Sequence, residues 1–360
     1  MVLVESFHRI ELPREIIIGH NVLPKVGDFC QKYGFHESAL VVTDPITYQI
    51  AGSTVVASLQ ENEFNNVDFI DIKSGDMDSV KLVKTRMKEL APSILIGVGG
   101  GKVIDVTKLA CLEQDTQKNL PYISVPTIPS HDGIASPRAS IKGLETSYSV
   151  MVQSPIAVIA DTDIIKNSPY RYLASGSADV LAKITATADW ELAHKLKNEY
   201  YGEFANTLSK MCAEFVMKNA RVIAKGLEES YRIVLEALIS SGIAISIAGT
   251  SRPASGSEHA FSHALDLISQ TPALHGEQVG VGAIMMAYLH GLDWENIRNT
   301  LKIIRAPINA KQLGVTDEDI IQALLQAHKI RGTSRYTILG ENGITRDAAI
   351  NLAKVCEVID

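Results

Sequence analysis

Three of the ten histidines in this 360-residue chain fall between positions 259 and 275. In the run Ser257-Glu258-His259-Ala260-Phe261-Ser262-His263, His259 and His263 are four residues apart, a spacing that puts both on one helical face. His275 follows the turn Thr271-Pro272-Ala273-Leu274 and opens another helix. Imidazole is the commonest protein ligand for metals, and a catalytic zinc takes three protein ligands and keeps a fourth position open. Ala260 after His259 excludes the His-Glu-x-x-His arrangement of metalloproteases. Two helical histidines alone are more often structural; the third turns the reading towards a metal. A hard oxygen donor would complete the set. Asp179, in Ser175-Gly176-Ser177-Ala178-Asp179-Val180-Leu181-Ala182, is the candidate, expected in the first turn of a helix over Ala178–His194. There an acid that merely complements the helix dipole is the competing reading.

A second set of residues suits phosphate. Ser93 to Lys108 reads as strand, glycine turn and helix, with Gly97, Gly99, Gly100 and Gly101 at the turn. Glycines let backbone approach a ligand closely, and the N–H groups opening the helix favour a pyrophosphate. Lys102 stands where the dinucleotide fingerprint has its third glycine, and Val103 where a Walker A loop needs Ser or Thr. A plain tight turn is therefore the alternative. After the next strand, Val125 to Ser136 carries Thr127, Ser130 and Ser136 beside Pro126 and Pro129. Open α/β sheets bind ligands at this end of their strands, although a proline-rich surface turn reads equally. His131 reads as a surface or hydrogen-bonding histidine. Asp44, closing the strand Leu40-Val41-Val42-Thr43, suits a ribose hydroxyl or a simple turn before Pro45.

These residues need a scaffold. Apolar runs at Leu40–Val42, Val67–Ile72, Ile94–Val98, Tyr122–Val125 and Ala157–Ala160 alternate with helical patterns. The fold class is an α/β domain with a doubly wound, mostly parallel sheet. After about Asn167 only helical period remains, over Ala178–His194, Tyr200–Lys225, Tyr231–Ala248, Ser257–Ile268, Gln278–His290, Trp294–Ile304, Asp317–Ile330 and Arg346–Val358. A dinucleotide domain over 1–166 and an all-α metal and substrate domain over 167–360 are expected.

Composition narrows the function. Hydrophobic residues make up 46% and charged residues 21%, which is globular and excludes a disordered or fibrous chain. A net charge of −7 argues against nucleic acid as a partner. Cys30, Cys111, Cys212 and Cys356 form no close pair and suit separately buried thiols in the cytoplasm. Glu5, Arg9 and Glu11 interrupt any signal peptide, and Ala237–Ser251 is too short for a membrane span and reads as a buried helix.

In chain order, the GGGK loop, TIPSHDGIASP, SGSADVLAK, SGSEHAFSHALD and LHGEQVGVG resemble the glycerol-1-phosphate dehydrogenases, from about Ile10 to the last helix. These archaeal-type enzymes reduce dihydroxyacetone phosphate to sn-glycerol 1-phosphate for ether lipids. Glycerol dehydrogenases, iron-type alcohol dehydrogenases and dehydroquinate synthases share their two-domain architecture, and another zinc and NAD enzyme of that group is the alternative. The resemblance implies that Asp179, His259 and His275 hold one Zn2+, with Asp132 and His263 facing the substrate. It implies that Gly99, Gly100, Gly101, Lys102 and Val103, with Thr127, Ile128, Pro129, Ser130 and Ser136, hold NAD or NADP. Zinc would then polarise the ketone while His263 relays a proton. Arg138, Lys142 and Arg252 are candidates for the substrate phosphate, and a homo-oligomer is expected.

Overall fold

The β-branched runs become one parallel sheet in the computed structural model, which describes residues 8–112, 119–141, 149–269, 273–330 and 335–360. The strands are β1 (Glu15–Gly19), β2 (Ser38–Thr43), β3 (Asn66–Asp71), β4 (Ile94–Gly99), β5 (Tyr122–Pro126) and β8 (Ala157–Asp161), with β6 (Arg138–Ala139) and β7 (Val150–Met151) forming a separate antiparallel pair. The sheet order is β1-β8-β5-β4-β2-β3. β2, β4, β5 and β8 are buried throughout, because helices cover both faces of the sheet, and this is why their sequences are continuously apolar. β1 is not among the expected strands: it is a short edge strand whose only partner among the described residues, β8, comes much later in the chain.

From β2 the chain moves outward to β3, and from β4 it moves the other way to β5. The switch point therefore lies between β2 and β4, where such sheets open a crevice at the carboxyl ends of the strands. Parallel register levels those ends, pairing Val42 with Gly97 and Gly99 with Pro126. Asp44, the glycine loop and the Thr127 loop consequently leave the sheet side by side.

The helices are α1 (Val26–Lys32), α2 (Ser53–Glu61), α3 (Met77–Leu90), α4 (Gly101–Ala110), α5 (Tyr170–Leu181), α6 (Lys183–Lys197), α7 (Glu203–Lys218), α8 (Glu228–Ala248), α9 (Ser257–Ile268), α10 (His275–Leu289), α11 (Trp294–Ile303), α12 (Asp317–Ala327) and α13 (Arg346–Val355), besides single turns. The expected helix over Ala178–His194 is in fact two, parted at Ala182. The first begins at Tyr170, directly after Pro169, so Asp179 lies in its last turn and not in a first turn. A role as a dipole-complementing acid is thereby removed, since an acid near a helix C-terminus opposes the dipole.

Among the described residues α8 has the length and apolarity to cross a membrane, yet 67% of its apolar window is buried in the core. It extends further towards the N-terminus than the expected apolar segment. The main core joins this helical half to Ile104, Ile134 and Val158 of the sheet half. All four cysteines are buried free thiols. Outside the core, α7 presents Phe204, Met211 and Phe215 at 71%, 56% and 40% exposure, with the half-buried Leu208 between them.

Candidate metal and cofactor site

Donor atoms of Asp179, His259 and His275 all lie within 4.8 Å of one another. They come from α5, α9 and α10, which meet because small residues let their backbones touch. A Cβ on Gly176 would stand 2.0 Å from the Pro129 carbonyl oxygen, and one on Gly276 would stand 1.9 Å from that of Ser175. α5 is therefore pressed between the Thr127 loop and the start of α10. His275 is the first residue of α10, and its ring meets that of His259 edge-on at 5.0 Å. Asp179 Oδ1 lies 3.7 Å from His259 Nε2. One carboxylate oxygen and two imidazole nitrogens are a donor set suited to zinc.

The surrounding groups orient this set. The fully buried Glu258 accepts from His259 Nδ1 at 2.7 Å through Oε1, which leaves Nε2 to face Asp179. A carboxylate behind a ligating imidazole fixes its tautomer and strengthens it as a donor. Glu258 also accepts from the Gly256 N–H and from Thr185 Oγ1. Buried Asp189 anchors the start of α9, accepting from the Ser257 N–H and hydroxyl, both at 2.6 Å. The buried Lys183 ammonium lies 2.9 Å from Asp179 Oδ1 and 2.8 Å from Asp132 Oδ2. The Asp132 N–H donates to Asp179 Oδ2 at 3.0 Å, which joins the β5 loop directly to α5. His263 is buried one turn beyond His259, its ring 5.9 Å from that of His275.

Burial alone would raise the Asp179 carboxyl, but Lys183, with His275 and His259, holds it well below the usual carboxylate range. Burial, reinforced by Lys183, pushes the His259 imidazole well below 6.5, and burial lowers His275 as well. Both rings are thus neutral at pH 7, the form that binds a metal. Burial raises the Glu258 carboxyl against its hydrogen bonds.

The glycine loop lies beside these groups. Thr127 N–H donates to the Gly99 carbonyl at 3.1 Å, fastening the two loops together. A Cβ on Gly100 would meet Ile128 at 2.8 Å, and one on Gly101 would collide with the His131 ring. Gly101 is therefore held small by the neighbouring loop, while at Gly100 the Ile128 side chain could give way. His131 accepts the Gly133 N–H through Nδ1, as a hydrogen-bonding histidine. Pro129 and Ser130 turn their carbonyls towards α5, where Ser175 Oγ donates to Ser130 at 3.4 Å. Ser136 is buried beneath them. Val103, in the first turn of α4, packs against Gly99. Asp44 serves both of its readings: Oδ1 caps the turn Pro45–Thr47, and Oδ2 lies 3.1 Å from Lys102 Nζ.

Two phosphate candidates are already committed elsewhere. Arg252, 1% exposed, is held bidentately by Glu199 and donates to the Tyr336 carbonyl. Arg138 is spent on Ser149 and its carbonyl. Lys142 lies outside the described residues. Glu258, Lys183 and Asp189 were not singled out from sequence. For Glu258 and Lys183 a signal was present, an acid adjoining a candidate ligand and a lysine one turn after another, but neighbours at these spacings are common on solvated helices.

The family model of the iron-containing alcohol dehydrogenases matches residues 17–169, which carry nearly all of the parallel sheet and the glycine loop at its switch point. The glycerol dehydrogenase of Schizosaccharomyces pombe has the same fold, with a TM-score of 0.79 at 20% identity over 98% of this chain and 90% of that one. The chain belongs to the glycerol-1-phosphate dehydrogenase family. It is 54% identical to the glycerol-1-phosphate dehydrogenase (NAD(P)+) of Methanothermobacter thermautotrophicus, over 98% of this chain and 99% of that one. It is 50% identical to that of Pyrococcus abyssi, over 98% and 100%.

Proposed function

We propose that the chain is a zinc-dependent dehydrogenase that reduces dihydroxyacetone phosphate to sn-glycerol 1-phosphate with NADH or NADPH, supplying the backbone of archaeal-type ether phospholipids. The observation that carries this reading is the convergence of Asp179, His259 and His275 beside two loops leaving adjacent strand ends. Zinc, when bound there, supplies Lewis-acid polarisation of a carbonyl, and the nicotinamide supplies the hydride.

The chain's own residues do the rest. Gly99 to Val103 and Thr127 to Ser130, with Ser136 behind them, cradle the dinucleotide, whose pyrophosphate faces the start of α4. Asp44 receives the ribose, and Lys102 beside it offers a cation to a 2′-phosphate, which accommodates both NAD and NADP. His263 carries the proton to the reduced oxygen, and Asp132 orients the substrate. Burial of His263, with Asp132 only slightly exposed, keeps bulk water from the proton's path.

The functional division falls near residue 166, and the buried free thiols suit the cytoplasm. The homo-oligomer pairs α7 with α7 of a second copy. Phe204, Leu208, Met211 and Phe215 are spaced 4-3-4, so the stripe reads the same in both directions and can face its own copy across a two-fold axis. Exposed Glu203 and Lys218 at opposite ends then meet across the antiparallel pair. Phe204→Glu should yield monomers in light scattering; an unchanged mass would refute this interface.

Oxidation of NADH and NADPH with dihydroxyacetone phosphate, followed by chiral analysis of the product and elemental analysis of the protein, tests the activity. Turnover of free glycerol alone, or full activity without a metal, would overturn it.

A further inference from the structure

Lys183 is fully buried, and each of its three ammonium protons has a partner: Asp179 Oδ1 at 2.9 Å, Asp132 Oδ2 at 2.8 Å and the Ala254 carbonyl at 3.2 Å. These come from α5, from the β5 loop and from the segment leading into α9. A buried ammonium is costly unless so paired, and a merely structural clamp could be made from neutral groups. What a cation alone achieves is to hold two carboxylates on either side of itself. Asp179 is one of the three proposed zinc ligands; Asp132 is a second carboxylate at the same site, acting on His259 through its charge. Apart from Lys183, the Asp132 carboxylate receives only the Ser241 hydroxyl, at 3.3 Å, among the described residues.

We propose that Lys183 is a positioning residue that keeps Asp132 off the metal, so that three protein ligands, not four, hold it and one position stays open to substrate. This rests on the zinc reading above. Three ligands with an open position distinguish a catalytic zinc from a closed structural one. Without the lysine charge, only the Ser241 hydroxyl and the charge of the buried Lys108, among the described residues, oppose attraction of Asp132 to a divalent cation beside Asp179, and the site closes. Loss of an ordinary structural contact would loosen the metal. Loss of Lys183 should tighten it.

The test compares wild type with Lys183→Met, which keeps the stem of the side chain and removes its charged end. Zinc transfer to a chromophoric chelator should be at least tenfold slower in Lys183→Met. In cobalt-substituted wild type the visible ligand-field bands should respond to dihydroxyacetone phosphate, and in the variant they should not. Zinc release as fast as in wild type, or faster, from a variant with an intact circular dichroism spectrum overturns the proposal. If Lys183→Met does not fold, Asp132→Asn decides: Asp132 is not a ligand in wild type, so its cobalt bands without substrate should match those of wild type. Altered bands would refute the proposal. A wild-type protein that takes up no zinc or cobalt would instead refute the metal reading itself.

Discussion

The carboxylate behind His259 can be tested almost in isolation, because the structure supplies a clean isostere. In Glu258→Gln the amide oxygen takes the place of Oε1 and still accepts from His259 Nδ1 and the Gly256 N–H. The NH2 group then donates to Thr185 Oγ1, whose own proton goes to the Ala182 carbonyl at 2.9 Å. Every wild-type partner keeps its hydrogen bond, so beyond one added amide N–H the change is the loss of the negative charge. Charge-assisted hydrogen bonds are worth roughly 1.5–3 kcal/mol against about 1 for neutral ones. The expected loss in zinc binding is therefore about 1.4 kcal/mol, or roughly tenfold in Kd. Glu258→Ala, which leaves the Nδ1–H facing a void, should approach the roughly 100-fold upper end for such partners. Competition against a chelator of known affinity at pH 7.5 measures both, with thermal melts to check folding. A Glu258→Gln protein that binds zinc within twofold of wild type would show that the hydrogen bond, not its charge, tunes the ligand.

His263→Ala should keep its zinc and its nicotinamide affinity yet lose roughly 10²–10⁴ in turnover; loss of zinc, seen by elemental analysis, would make His263 a ligand. Arg252→Ala should leave the KM for dihydroxyacetone phosphate unchanged while lowering stability by about 2 kcal/mol, since it unpairs a partly solvated Glu199; a KM raised tenfold would return Arg252 to the substrate. In metal-free protein the buried His259 and the part-buried His275 stay neutral below 6.5 while the unfolded chain takes up protons. Stability from these two groups is complete above pH 6.5 and should fall below it by about 1.4 kcal/mol per unit for each, until the folded imidazoles titrate. Urea midpoints that do not move between pH 7 and 5.5 would contradict this.

The sheet was legible because a strand covered on both faces must be apolar at every position, as in Leu40–Val42 and Ile94–Val98. The edge strand β1 lacks that constraint and escaped notice. His259 and His275 were legible because their clustering in sequence is rare, and Asp179 through the family pattern around it. Its place in α5 was misjudged because Ser175-Gly176-Ser177 reads as a loop until Pro129 and Gly276 are seen packing against it. Lys183 remained hidden because its meaning depends on Asp132, far away in the chain, and Arg252 misled because nothing in sequence reveals Glu199 opposite it.

The backbone contacts at Gly176 and Gly276 have a consequence for large-scale mutagenesis. A methyl group at either position collides with a carbonyl oxygen belonging to another segment, and neither glycine has positive φ that would explain its intolerance in isolation. In a deep mutational scan selected on activity, both should be as depleted as Asp179 and the histidines. An observer ranking positions by intolerance alone would count five essential residues and read two more side chains into the chemistry, where what is conserved is the absence of any side chain. Alanine at either glycine would separate the classes: it should move the metal ligands apart without removing one, leaving zinc bound weakly where a ligand substitution leaves it unbound.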